Sequence, residues 1–497
     1  MYWSTFLHFY QPPGQRREII DGVVHQTYKP IVEGVLAAGQ GRLTINLAGS
    51  LVEQLDQCGH HELIEKFAEA GRRGLIEFVG TSKYHAILPL LPPAEAKRQI
   101  TINDDTLRHY LGEAYQRRGV YLPEMAYDPK LAPLLEELGF DWVLLDELAY
   151  NGRVETVKYD RLYEIKGTKL KAFFREHRLS DTLMSAVTRT VAGLKEAIGP
   201  EQHRERYFIT GTDGETFGHH RVGHERLLLD MVKDRELNLV GVSELLKAFK
   251  TVETVTTQAC TWASSQADLE EGIPYISWND PANEIHALQW QLLKLAVTAL
   301  EKLSPSDPAY PGLRNQLDKA VGSDQFYWAA ARPWWMVQYI EEGAHKLLEV
   351  IKDSPATPPQ EAAAAQKLYY QIMDTAWDWQ RSGKIDAIGA ERDSILRIPF
   401  KERTLELGGE GESAWHAFIH LMREHELEAA KHKDYEAAIL WRDARYKLDQ
   451  KLDIFDGFHV IDLLRTRLPH DHVEATLEQF RDEYNRIRGG QSEQRSH

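Results

Sequence analysis

Gly119-Val120-Tyr121-Leu122-Pro123-Glu124-Met125-Ala126-Tyr127-Asp128-Pro129 holds a β-rich run, a stiff exit, an acidic side chain and a helix start in immediate succession. Gly119–Leu122 reads as a strand. Pro123 restricts the backbone at its end, and Asp128 followed by Pro129 opens a helix through Leu131, Leu134, Leu135 and Leu138 that Gly139 terminates. A strand passing to a helix through a short loop is the repeating unit of a parallel sheet. The unit recurs from Tyr2 to about Phe249, with strands expected at Tyr2–Leu7, Leu43–Leu47, Leu75–Val79, Trp142–Leu145, Tyr207–Thr210 and Asn238–Val242. Ser50 and Ser243 are the expected caps of the helices after the second and seventh strands. Seven strands favour a barrel over an open sheet.

The 497 residues exceed one ordinary core, so two or three domains, or a barrel with large additions, are expected. A formal charge of -16 argues against nucleic acid, whose phosphates call for a basic face. A neutral sugar polymer fits better, and the 12 Trp and 21 Tyr supply faces for sugar stacking, although most such residues serve a core. Cys58 and Cys260 have no metal-ligand spacing, and Met1 leads straight into an apolar run without a targeting segment, so a cytoplasmic location is expected. No apolar run approaches the roughly 20 residues of a membrane span.

Ala149–Gln202, with strand-like runs at Leu162–Ile165 and Leu170–Phe174, is long enough to form an insertion. From Asn283 onward the chain reads as consecutive helices, as in the stripe Ile285, Leu288, Leu292, Leu295 and Ala296. Ser304–Gly312 and Asp353–Gln360 have linker composition. His425–Lys451 faintly resembles the helical hairpin of UvrB-type interaction motifs, against the plainer reading of a solvated charged hairpin.

Barrel chemistry collects at the carboxyl ends of strands. His8 and Gln11 follow the first expected strand, His85 the third, Glu124 the fourth, Asp146 and Glu147 the fifth, and Asp213 and Glu215 the sixth. Glycosidic cleavage needs two carboxyls from separate positions, one at the anomeric carbon and one to protonate the departing oxygen. Glu124 and Asp213 suit those tasks, the latter in a turn between Gly211 and Gly214 that allows close approach to a ligand. On spacing alone they suit helix caps or salt bridges as well.

Five segments carry a family resemblance. Leu7-His8-Phe9-Tyr10-Gln11-Pro12 resembles the His-x-His-Gln-Pro motif of glycoside hydrolase family 57. Gly80–Pro89, Tyr121–Tyr127, Thr212–His219 and Ser323–Trp328 resemble, in order, its second motif, the Trp-Leu-Pro-Glu nucleophile motif, the acid/base motif and a Ser-Asp-x-x-Trp segment reaching the cleft from the helical region. The resemblance implies an α/β fold with a seven-stranded, TIM-like (β/α) barrel followed by all-α domains, and a retaining hydrolase or transglycosylase acting on α-glucans, less often α-galactosides. It makes Glu124 the nucleophile, Asp213 the general acid/base, and His8, His85 and Asp324 substrate-site residues. Gln11, Tyr121, Glu215, Phe217, His219, Trp278 and Trp328 are added as substrate-binding candidates. Tyr10 stands where a second histidine is usual and Tyr121 where tryptophan is usual, which bears on specificity.

The expected organisation is a barrel at 1–280 with an insertion at 149–202, a helical domain at 281–355 completing the cleft, and a C-terminal helical region at 356–497. A retaining pair needs its carboxyls roughly 5 to 5.5 Å apart, an inverting pair roughly 6.5 to 9.5 Å. Asp213 is expected to have a raised pKa, from apolar walls and from the Glu124 charge. Glu215 reads as an orienting, hydroxyl-binding or capping residue, and His219 and His220 as ligands or carbonyl partners. Asp280 reads as a helix-start residue before a cleft residue, and Trp334 and Trp335, beside Pro333, as a stacking platform or a pin for the helical region. The competing readings are a metal-dependent polysaccharide deacetylase, which would use His8, His85 and Asp213 as ligands but leave Glu124 without a role, and a non-catalytic glycan-binding relative. No cofactor or metal is called for; the partner expected is an α-glucan, with no nucleic acid and no membrane. Hydrolase versus transferase and oligomeric state stay open.

Overall fold

The computed structural model describes residues 1–186, 188–332, 334–389, 412–449, 460, 461, 463, 464 and 467–494. The chain divides into two compact units, one comprising residues 1–177, 200–214 and 232–391, the other 178–199, 215–231 and the residues from 392 onward.

The first unit contains two sheets. β1 (Tyr2–Phe9) is buried from Trp3 to Phe9, as a parallel strand covered on both faces must be. It pairs in parallel with β2 (Leu43–Leu47), which pairs with β3 (Ile76–Val79). The second sheet holds β4 (Gly119–Tyr121), β5 (Trp142–Asp146), β6 (Leu162–Ile165) and β7 (Lys171–Arg175). β8 (Tyr207–Asp213) returns to pair with β1, and β9 (Val252–Val255) pairs with β6. The resulting orders are β3-β2-β1-β8 and β4-β5-β7-β6-β9, parallel except for β6 against β7.

These ladders do not make the closed seven-stranded barrel expected from the sequence. β3 and β4 have four and three residues and meet only at their ends, through the Gly80–Val120 bridge. Between β7 and β8, the Glu176 N–H donates to the Ile209 carbonyl at 2.8 Å. The expected seventh strand, Asn238–Val242, makes only a bridge between Leu239 and Trp3. Asn238 has left-handed backbone (φ 48°) and Val242 already begins a helix, so an extended run cannot form.

Two expected caps also shift. The helix Gly49–Gln57 starts before Ser50, and the Gly49 N–H is capped from a distance by the Asn103 side-chain carbonyl at 2.9 Å. Ser243 lies inside the helix Val242–Ala248, where its hydroxyl instead accepts from the Trp142 indole at 2.8 Å. Asp128 does cap, accepting from the Lys130 N–H.

The helices Glu284–Glu301, Tyr310–Ala320, Val337–Asp353 and Pro359–Ser382 follow, and the two linker-like stretches connect them within this unit. Ile285, Leu292 and Ala296 of the expected stripe are buried, in one core with Phe6, Leu122, Trp142, Phe326 and Leu347. Helix Pro93–Leu111 is joined to helix Tyr310–Ala320 by charge. Arg314 donates to both oxygens of Glu95 at 2.9 and 2.7 Å, and Arg98 to both of Asp318 at 2.7 Å.

In the second unit, helices Glu412–Lys431, Tyr435–Asp449 and His470–Gln494 contribute to a separate core that includes Trp415, Phe418, Leu421, Trp441, Leu448 and Val473. The first two form the hairpin anticipated from His425, whose last two residues, 450 and 451, lie outside the described residues. Among the described residues no helix is long and apolar enough to cross a membrane.

Gly119 is where strand β4 tolerates no side chain: a Cβ there would sit 2.1 Å from the Trp142 ring. Gly119→Ala should therefore destabilise the first unit by about 1–3 kcal/mol through overpacking. Denaturant unfolding followed by tryptophan fluorescence measures the loss.

Candidate active site

The site begins with a backbone that bends where strands end. Pro123 and the residues after it leave β4 in a short turn, and Glu124 and Met125 take left-handed backbone (φ 60° and 48°) that non-glycine residues seldom adopt. His85, beyond β3, does the same (φ 55°). Side-chain bonds hold this geometry. The Glu124 N–H donates to the Tyr121 hydroxyl at 3.2 Å, and Trp262 grips the residue twice, its N–H on the Glu124 carbonyl at 3.0 Å and its indole on Oε2 at 2.7 Å.

Asp213 reaches the same end of the molecule on β8, in register with His8 of β1. His8 Nδ1 bonds the side-chain oxygen of Asn46, its Nε2 lies 3.1 Å from His85 Nε2, and His85 Nδ1 lies 2.9 Å from the Ser323 hydroxyl. A consistent proton assignment follows: His8 donates from Nδ1, His85 from Nε2, and Ser323 donates to His85. Tyr10 stacks on His85 with ring centres 4.2 Å apart and donates its hydroxyl to Asp324 Oδ2 at 2.7 Å.

Burial governs the ionisation of these groups. It pushes Glu124 up to about 8, helped by the charge of Asp213 and opposed by the Trp262 bond. It raises Asp213 to about 6 against the nearby Arg175 guanidinium. The rise at Asp213 matches the sequence expectation, but the Glu124 charge is not its cause. The Asp213 charge instead adds to the rise at Glu124. Asp324 is also raised, by burial against the Tyr10 bond. Burial takes His8 down to about 4 against the Asn46 bond, and burial together with the His8 charge takes His85 well below its ordinary value. The 3.7 Å approach of His85 Nε2 to Glu124 is thus a contact with a neutral ring, not an ion pair.

Tyr121 joins this group, and the other candidates are scattered. Tyr121 is buried with its ring 4.9 Å from that of His8. Gln11 bonds through its backbone carbonyl to the Gln54 amide at 3.1 Å. Trp278, 1% exposed, stacks on Tyr327 inside the core. Trp328 stacks on Tyr339 at 5.4 Å. Asp280 does not start the following helix; Asn283 caps it, accepting from Ile285 and His286, while Asp280 accepts from the Ala282 N–H and pairs with Arg332 at 3.4 Å. Glu215, Phe217 and His219 belong to the second unit. There the Glu215 carbonyl accepts from His220 at 2.8 Å, Phe217 stacks on His224 at 5.0 Å, and burial lowers His219.

Sequence reading passed over Trp262, Asn46 and Arg175. Asn46 carried a signal, an amide inside the apolar run Leu43–Leu47; Trp262 carried none, because it follows the unanticipated β9.

The family model of glycosyl hydrolase family 57 matches residues 10–258. The chain belongs to glycosyl hydrolase family 57. Alpha-amylase 1 of Dictyoglomus thermophilum is 25% identical over 223 residues, 44% of this chain and 32% of that protein. The chain spans less than half the length of the curated family 57 relatives it matches. Among solved structures, 4-alpha-glucanotransferase from Thermococcus litoralis aligns with a TM-score of 0.56 at 18% identity, covering 70% of this chain and 58% of that one. A GH57-type branching enzyme from Pyrococcus horikoshii aligns with a TM-score of 0.56 at 14% identity, covering 76% and 96%. These two alignments concern the fold alone.

A carboxyl whose folded pKa lies above its unfolded value holds its proton only in the folded form across the interval between them. Stability then falls as pH rises through that interval, here from about 4.5 toward about 8 for Glu124. Glu124→Gln cannot titrate yet keeps an oxygen for Trp262. Its melting temperature should therefore exceed that of the unmodified protein at pH 8 by more than at pH 5. Equal differences at the two pH values would remove the elevated Glu124.

Proposed function

We propose that this chain is a retaining glycosidase or transglycosylase acting on α-glucans such as starch, glycogen, maltooligosaccharides or pullulan. Glu124 is the nucleophile and Asp213 the general acid/base. The observation that carries this reading is the pair itself: two half-buried carboxyls from different strand ends that converge on one histidine pair, Asp213 in register with His8 and Glu124 3.7 Å from His85, which His8 contacts at 3.1 Å. The family membership and the name of the curated relative, alpha-amylase 1, support the substrate class.

In the proposed cycle Asp213 gives its proton to the glycosidic oxygen while Glu124 attacks the anomeric carbon, forming a glycosyl ester and releasing the leaving chain. Asp213 then takes a proton from water or from a sugar hydroxyl, and that oxygen displaces Glu124. Which acceptor enters decides hydrolysis or transfer. The cycle needs one proton on the pair, placed on Asp213. In the free site the Asp213 charge favours a proton on Glu124, and productive binding must place it on Asp213. The indole bond to Oε2 and the developing positive charge of the sugar both favour ionised Glu124. Neutral His8 and His85 and the carboxyl of Asp324 supply the donors and acceptors around the sugar.

Because one proton is required, kcat/KM should be bell-shaped, falling below about 6 as both groups are protonated and above about 8 as both ionise. Glu124→Gln should lower turnover by several orders of magnitude, roughly 10⁴-fold or more, and leave no glycosyl-enzyme intermediate by mass spectrometry. Normal turnover by that variant would remove Glu124 from the reaction. Products from maltooligosaccharides, amylose and pullulan separate the two outcomes: longer or branched chains mean transfer, shorter ones alone mean hydrolysis.

A further inference from the structure

The loop from Trp328 to Met336 presents one tryptophan and anchors the next. It is folded back on itself, the Met336 N–H donating to the Trp328 carbonyl at 3.0 Å and the Ala331 N–H to the Trp334 carbonyl at 2.9 Å. Trp335 is the anchor: its ring stacks on Trp379 at 5.8 Å and 20°, and its indole donates to Gln380 at 3.0 Å. Trp334 has no such task. It is 40% exposed, beside Met336 at 39%, and is braced edge-on by Trp328 at 5.7 Å and by a tilted Tyr327 at 6.1 Å. Trp377 is as open, at 48%, so it is the bracing by Trp328 and Tyr327 and the position beside Tyr339 that single Trp334 out, not its exposure alone.

The platform is continuous with the carboxyl site. Asp324 is bonded to Tyr10 and lines one cleft with Tyr339, Tyr339 stacks on Trp328 at 5.4 Å, and Trp328 braces Trp334. An aromatic series leading outward from a sugar-binding carboxylate matches a chain of pyranoses, each offering an apolar C–H face between polar edges.

We propose that Trp334 is a sugar-stacking platform outside the bond-cleaving subsite, which makes the site selective for longer α-glucan chains over short oligosaccharides. This rests on the α-glucan reading above. Trp334 contributes binding to chains long enough to reach it and nothing to shorter ones, whereas Trp335 holds the loop in place.

The test compares maltotriose with maltoheptaose on the full chain, by calorimetric binding to the Glu124→Gln background and by kcat/KM in the active form. Trp334→Ala should weaken maltoheptaose binding about five- to tenfold and leave maltotriose unchanged, while Trp334→Phe keeps most of the preference. Trp335→Leu should lower the melting temperature more than Trp334→Ala does. Equal loss on both sugars, or no loss on either, overturns the platform while leaving the glucan reading in place. Failure of the unsubstituted site to bind maltoheptaose at all overturns both.

Discussion

Trp262 holds Glu124 at the backbone and at the carboxyl, and the rest of the site depends on that double grip. The left-handed backbone at Glu124, Met125 and His85 costs about 1–3 kcal/mol at each position. It persists because Tyr121, Trp262 and Ser323 fix the neighbouring groups from three separate stretches of chain. Cys260, two residues before Trp262, exchanges backbone bonds with Tyr127 at 2.9 and 3.2 Å, so the segment carrying Trp262 is laid against the turn that carries Glu124. The acid is aimed by assembly of the fold rather than by its own loop.

The opposite wall is tied down as firmly. Ser323 and Asp324, at the start of a short helix in the helical layer, bond to His85 and Tyr10 at the strand ends. Burial keeps both histidines neutral, which suits rings that must share hydrogen bonds without adding positive charge beside two carboxyls. Tyr10 fits this environment better than a third imidazole would, since it donates one bond and stacks without titrating near neutrality.

Much of this was readable before any coordinates. Six of the seven expected strands form, and so do both runs inside Ala149–Gln202, because apolar β-branched stretches between turn residues are strong local signals. Closure of the sheet was not readable: it depends on overlap between neighbouring strands, and Gly119–Tyr121 and Ile76–Val79 are too short to overlap beyond one bridge. The strand Val252–Val255 escaped notice because its edge position leaves it largely exposed, without an apolar run. Among site residues, those at strand ends were legible from position alone. Trp262 and Arg175 were not, as their roles come from packing against residues far away in sequence. The rise at Asp213 was legible, but the Arg175 guanidinium that opposes it was not.

The charged seam between Pro93–Leu111 and Tyr310–Ala320 bears on how the site is reached. Separating these helices would break the buried Arg314–Glu95 pair, leaving Glu95 without its partner, together with the half-exposed Arg98–Asp318 pair. Hinged gaping along that seam is therefore disfavoured. The helix that carries Ser323 and Asp324 is thus set against the strand ends before any ligand arrives, and access to the carboxyls cannot be gated by opening along that seam.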